Sequence, residues 1–272
     1  MKPMLGLLLA GCALLGGDGA AGLRRVADLD LTGTANPAGL ELQGALSLRR
    51  GWSGDDPYAP ATYLQGGLLG LATPGYAAAG AFGEWQPVPF FQLHVQGSRY
   101  QYFGGTDLVS LPGPDRPYGT ADLDRSPKAA GSSRNAQVQP VLQVQAGPVV
   151  LRHQATLSWF RFSGAGPWFY EPENDLLLAR SDRVQDSLSQ LAWEFKPAWG
   201  AVLAGPSLQT TRGREAGLFR RRVGLAGSWQ AGSDWGRAGR PRACLNVARD
   251  QADRNRAGQV FVLVGIGTTW LP

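Results

Sequence analysis

Residues 135–159, NAQVQPVLQVQAGPVVLRHQATLSW, hold two apolar/polar alternating runs on either side of Ala146-Gly147-Pro148. In the first, Val138, Pro140, Leu142 and Val144 share one parity, and Gln137, Gln139, Gln143 and Gln145 share the other. In the second, Leu151, Ala155, Leu157 and Trp159 oppose Arg152, Gln154, Thr156 and Ser158. Successive strand side chains point to opposite faces, so each run makes a strand with one apolar and one polar side. The pattern suits a soluble sandwich as well as a closed barrel. The length and recurrence of the runs separate the two.

Similar runs recur at 24–34, 40–50, 61–72, 76–85, 90–103, 183–195, 200–210, 218–230, 241–249 and 259–270. With the hairpin above they make about twelve strands, most near the ten or so residues that a tilted strand needs to cross a bilayer. An even count (ten and fourteen are the neighbouring options) returns both chain ends to one side. The longest connections, 104–134 and 164–182, then fall on the opposite side, and 86–89, 146–148 and 196–199 are short turns beside the ends. Segment 51–60 breaks this rule, being long on the short-turn side. The strand-and-turn texture shows no domain boundary after the N-terminal segment.

Charged residues are 17% of the chain, against roughly 25% in typical soluble domains. The 38 glycines and 19 prolines favour many turns over long helices. The start reads as an export signal over 1–21: Lys2, an apolar stretch from Met4 to Leu15, and a Gly19-Ala20-Ala21 cleavage site. Leu9-Ala10-Gly11-Cys12 resembles a lipoprotein lipobox, but cleavage after Ala21 is favoured because apolar sequence continues past Cys12. Removal of Cys12 leaves Cys244 with no disulfide partner.

The last run places Val260, Val262, Val264, Ile266, Thr268 and Trp270 on one face. This row resembles the C-terminal signal of Gram-negative bacterial outer-membrane β-barrels of porin-like type, although Leu271 and Pro272 follow the aromatic where that family ends on it. The resemblance covers roughly 24–270. It implies an all-β chain, a single antiparallel transmembrane β-barrel over 22–272. It places the chain in the cell outer membrane, with outer-membrane lipid, lipopolysaccharide and the barrel-assembly machinery as partners, and other envelope proteins as further ones.

In such a barrel the apolar parity meets lipid and the polar parity lines the lumen. The expected lumen residues are Gln92, His94, Gln96, Gln137, Gln139, Gln143, Gln145, Arg152 and Gln154, with Asp28, Asp30, Glu41 and Glu194 also facing inward. His153 takes the lipid parity. Aromatics gather at run ends: Trp159 with Phe160 and Phe162, Trp193 with Phe195 and Trp199, Tyr100 and Tyr102 with Phe103, and Trp229 with Trp235. Amphipathic rings suit the membrane–water boundary, so Trp159, Trp193, Trp229 and Trp270 are read as interface anchors.

Little in the chain points to chemistry. Barrel lipid hydrolases carry a His-x-Ser strand motif, yet His94 precedes Val95-Gln96 and His153 precedes Gln154-Ala155. The loop Glu171-Pro172-Glu173-Asn174-Asp175 lacks the spacing of a calcium loop and reads as solvated acids. No phosphate cradle, zinc pair or nucleophile elbow occurs, so no catalytic residue, metal or cofactor is expected. The +5 net charge comes from scattered arginines without a nucleic-acid motif, and Arg220-Arg221-Arg222 is read as meeting anionic envelope groups or lining a pore. The resulting expectation is a non-enzymatic barrel, a narrow channel for small polar solutes. The alternatives are a closed barrel docking an envelope assembly of motility or polysaccharide-export type, and a lipid-modifying enzyme using His94.

Overall fold

The computed structural model describes residues 23–35, 38–53, 62–103, 108–111, 113–115, 128–164, 166–171 and 175–271. The expected signal, with Cys12 and the Ala21 cleavage site, lies outside them. In chain order the strands are β1 (Leu23–Ala35), β2 (Gly39–Ser53), β3 (Thr62–Ala72), β4 (Tyr76–Val88), β5 (Phe91–Tyr102), β6 (Leu108–Leu111), β7 (Lys128–Ala129) and β8 (Gly131–Ala146). There follow β9 (Val149–Ser163), β10 (Trp168–Glu171), β11 (Leu176–Ala179), β12 (Ser181–Phe195), β13 (Gly200–Gly213), β14 (Phe219–Ala231), β15 (Arg240–Ala252) and β16 (Val260–Trp270).

The twelve long strands close into an antiparallel barrel in which each pairs with its neighbours in sequence, and β1 meets β16 at the seam. The four short ones form a separate sheet of order β11-β10-β6-β7. All twelve expected runs are barrel strands, their ends shifted by a few residues at most. The misfit at 51–60 narrows because β2 runs on to Ser53. The rest of that connection, 54–61, falls outside the described residues.

One end of the barrel carries the start of β1 and the finish of β16, and is called the terminal end. The other is the loop end. Two turns at the terminal end are tight. Ala146 pairs with Val149 across Gly147-Pro148, where Gly147 has φ +58°, a conformation open to glycine at no steric cost. Val88 pairs with Phe91 in the same way.

The period of two sorts the wall. Outward residues include Leu68 at 68% exposure, Leu225 at 65% and Ile266 at 58%, in a belt that also holds Leu31, Val95, Leu142 and Leu245. A contiguous apolar belt of this size needs a non-aqueous partner, which is the hydrocarbon of a bilayer. The inward parity curls onto itself, and small residues make this possible. A Cβ on inward Gly205 would lie 2.0 Å from the Leu191 carbonyl oxygen, and one on Gly224 would lie 2.1 Å from that of Val247. Such sites let neighbouring strands close up on the concave side.

Candidate functional site: the lumen and its plug

The inward face divides into two tiers. The tier toward the terminal end is polar and paired. Arg242 of β15 reaches across β16 to β1, where its guanidinium grips Asp30 through two bonds of 2.6 and 3.0 Å and Asp28 through one of 3.1 Å. It also donates to Thr269, which in turn bonds Asp28 at 2.5 Å. The two-pronged geometry is the strong form of an arginine–carboxylate pair. Inward Gly267 makes room for it, because a Cβ there would meet the Asp30 carboxylate at 1.9 Å.

A second group continues around the wall. Arg49 donates to Gln65 at 2.7 Å and lies over the Tyr63 ring, and Gln65 donates to Ser47 at 2.7 Å. The Tyr63 hydroxyl donates to Glu84, whose other oxygen is 3.3 Å from His94 Nδ1. His94 stacks on Phe82, and its Nε2 is 3.3 Å from the Gln96 amide oxygen. Gln137 donates to that oxygen at 3.3 Å, and Gln96 donates to Ser98 at 2.9 Å. Asp28, Asp30, Arg242, Arg49, Glu84 and His94 all border one cavity of about 220 Å³.

Of the expected lumen residues, His94, Gln96 and Gln137 are thus joined in one network, and Gln92 bonds Glu84 beside them. Gln139 donates to Thr156 at 3.1 Å. Gln145 stands apart at the terminal rim, bonded at 2.5 Å to Glu194, which pairs with Lys196. Gln143, Arg152 and Gln154 share the inward parity without a side-chain partner among the described residues. The Asp28–Asp30–Arg242 cluster escapes the sequence reading as a unit. Each residue shows inward parity, but their meeting depends on closure of the seam.

The tier toward the loop end is apolar. Inward Tyr76, Tyr100, Tyr102, Phe160, Phe162 and Val184 form a core with Phe169, Tyr170, Leu176, Leu177 and Leu178 of the β10–β11 hairpin. Phe169, Leu177 and Leu178 are 0% exposed, and Phe162 stacks on Phe169 at 5.1 Å. This corrects the reading of Tyr100, Tyr102, Phe160 and Phe162 as interface aromatics. They share the parity of Ser98 and Ser158 and therefore point inward. The described residues of the segment expected as an external loop, 164–182, in fact fill the loop-end mouth as a plug. β6 of the other long connection pairs with β10, so both long loops contribute backbone to it.

Buried charge holds the hairpin tip. Asp175, 3% exposed with φ +51°, accepts hydrogen bonds from Tyr170 at 2.6 Å, from Arg256 at 3.2 Å twice and from Arg220 at 3.4 Å. Arg222 lies 3.9 Å away, bonds Asp250 at 2.9 Å and caps the Phe261 ring at 3.8 Å. Arg256, in the β15–β16 loop, is partly desolvated, which opposes its charge, yet the facing Asp175 carboxylate raises its pKa overall. Glu171 is 2% exposed and close enough to Glu41 of β2 to interact electrostatically. The acidic loop is therefore not solvated at either flank. Arg220 and Arg222 serve the plug and meet no envelope anion, while Arg221 points outward.

The expected interface tryptophans split between the ends. Trp159 faces outward near the loop end, and Trp193, Trp229 and Trp270 lie near the terminal end, where Trp199, Trp229 and Trp235 form a ring cluster. His153 also faces outward, as its parity requires, and Ser189 of β12 lies 2.9 Å from its Nδ1. No His-x-Ser spacing could reveal a pair made across strands. Its other ring nitrogen has no partner among the described residues, so no third group orients it as a base. No cluster of three metal-ligating side chains occurs among the described residues.

No protein-family model matches the chain, and no curated protein matches it by sequence. Solved structures do match. The β domain of the Bordetella autotransporter BrkA aligns over 91% of this chain and 99% of its own, at 16% identity and a TM-score of 0.50. The translocator domain of the autotransporter NalP from Neisseria meningitidis aligns over 97% and 94%, at 14% identity and a TM-score of 0.43. The KdgM porin aligns over 90% and 99%, at 8% identity and a TM-score of 0.41. The chain has the fold of a bacterial outer-membrane β-barrel.

Proposed function

We propose that this outer-membrane barrel is a narrow, gated channel for small polar solutes and not an enzyme. The observation that carries this reading is the stacking of the two tiers. A polar, charge-paired cavity lies under an apolar hairpin whose seat is electrostatic. Alternating glutamine, arginine and carboxylate groups offer donors and acceptors to a neutral or zwitterionic solute. A hairpin held at its tip by Asp175 is a movable element with a defined latch. Gln92, His94, Gln96, Gln137, Gln139, Gln143, Gln145, Arg152 and Gln154 are then pore-wall groups. The outward row ending in Trp270 is the segment offered to the barrel-assembly machinery.

Planar-bilayer recordings test the channel. Purified protein should give small, infrequent steps, and Asp175→Asn should make them more frequent. Absence of steps from both proteins at every voltage would overturn the proposal. The fully shielded Phe169, Leu177 and Leu178 favour a second reading, a permanently closed barrel that docks an envelope assembly. That reading expects silent bilayers and a partner captured by crosslinking in intact cells. Recovery of the barrel alone counts against it.

A further inference from the structure

We infer that the outer wall of β5, β8 and β9 at the loop end holds the phosphate groups of a phosphorylated glycolipid. The inference rests on the barrel fold alone and not on the channel reading. Arg99, Arg134 and Arg161 are exposed, outward-facing and in register, with Arg99 opposite Arg134 and Arg134 opposite Arg161. None has an ion-pair partner among the described residues. Like charges set directly opposite one another on neighbouring strands are destabilising. Three of them on one rung call for an external anion.

The surroundings define that anion. The arginines border a cleft of about 400 Å³ together with Ser132 and Ser163, which pair one rung nearer the loop end. Their hydroxyls, 2.5 Å apart, add rotatable donors beside the guanidiniums. One rung toward the membrane centre lie Gly97, Ala136 and Trp159, and the next holds Val95, Val138 and Leu157. Arg183 sits opposite Trp159 and extends the positive edge.

Adjacent strands are about 4.8 Å apart, so the row spans about 10 Å and can engage two phosphates at once. Guanidinium forks match phosphate oxygens in pairs. The apolar wall directly beneath gives acyl chains a surface and the aromatic marks the boundary. In outer-membrane barrels the longer loops face outward. Charge complementarity and continuity with the lipid belt therefore select a membrane-borne phosphorylated glycolipid over free phosphate.

The test uses the full barrel refolded in detergent, with folding checked by heat-modifiable gel mobility. Native mass spectrometry would read binding of bisphosphoryl lipid A, its dephosphorylated form and inorganic phosphate. The wild type should retain bisphosphoryl lipid A. The Arg99→Gln/Arg134→Gln/Arg161→Gln variant should lose at least tenfold in affinity, and the outward control Arg249→Gln should not. Should the triple variant fail to fold, Arg134→Gln alone carries the comparison, with at least a threefold loss expected. Equal binding by wild type and variant, or by the phosphorylated and dephosphorylated lipids, would overturn the proposal. So would displacement of the lipid by millimolar phosphate, which would mark a site for the free anion.

Discussion

Asp175→Asn isolates the latch. Asparagine keeps the shape of the side chain and tolerates the left-handed backbone that Asp175 adopts at φ +51°. What it removes is the charge facing Arg220 at 3.4 Å, Arg256 at 3.2 Å and Arg222 at 3.9 Å. Arg222 retains Asp250 and Arg256 retains Tyr170, but Arg220 is left as a buried cation, and arginine does not shed its proton. Breaking a buried pair in this way costs about 3–5 kcal/mol. Burial of Phe169, Leu176, Leu177 and Leu178 opposes release, at about 2 kcal/mol for each side chain. The hairpin therefore stays seated most of the time, while its open population rises by about two to nearly four orders of magnitude. Val184, 1% exposed on the wall beneath the hairpin, is the place to read this. A Val184→Cys reporter in a Cys244→Ser background is close to isosteric and would be reached by an impermeant maleimide only when the hairpin leaves. Where reclosing outpaces labelling, the rate follows the open population. Labelling should speed up at least 100-fold in Asp175→Asn. A change under threefold, with heat-modifiable mobility intact, would refute the latch.

Two further outcomes follow from the walls of the barrel. Gly205→Ala should lower the urea midpoint in micelles by the equivalent of about 1–3 kcal/mol, because its Cβ meets backbone at 2.0 Å. Gly97→Ala, with nothing within 4 Å of the added Cβ, should leave the midpoint unchanged. Equal midpoints for the two variants would remove the close-approach argument. Arg242→Gln leaves Asp28 and Asp30 uncompensated in the lumen, so the reversal potential in a salt gradient should shift toward cation selectivity. An unmoved reversal potential would take the cluster off the conduction path.

The strands were legible because two local influences agree along each of them. Period-two alternation and a lipid belt both act residue by residue, so Leu29 and Leu31 declare the outer face without knowledge of any partner. Inward parity of His94 and Gln137 was legible for the same reason. Partnership was not. Asp30 and Arg242 are 212 positions apart, and only closure of β1 on β16 brings them together. The plug escapes the period-two pattern because strands of four residues are too short to show alternation. Leu176-Leu177-Leu178, an unbroken apolar run inside an acidic, proline-bearing loop, was the available signal, since such a run is buried on both faces. Position at a strand end does not tell an inward aromatic from an outward one. Phe160 and Phe162 share the parity of Thr156 and Ser158, and that parity turns them inward.

The placement of Arg256 sets an order of events. It lies in the loop joining β15 to β16, and its neighbour Arg254 touches Pro114 of the first long connection. The hairpin it grips belongs to the middle of the chain. That keeper therefore arrives with the strand that zips the seam, and an unsealed sheet holds its plug without the Arg256–Asp175 pair. The complete latch on β10 and β11 is in this sense a receipt for completed closure. A barrel stalled before its last strand would hold Leu176, Leu177 and Leu178 by apolar contacts and fewer ion pairs, and so less firmly.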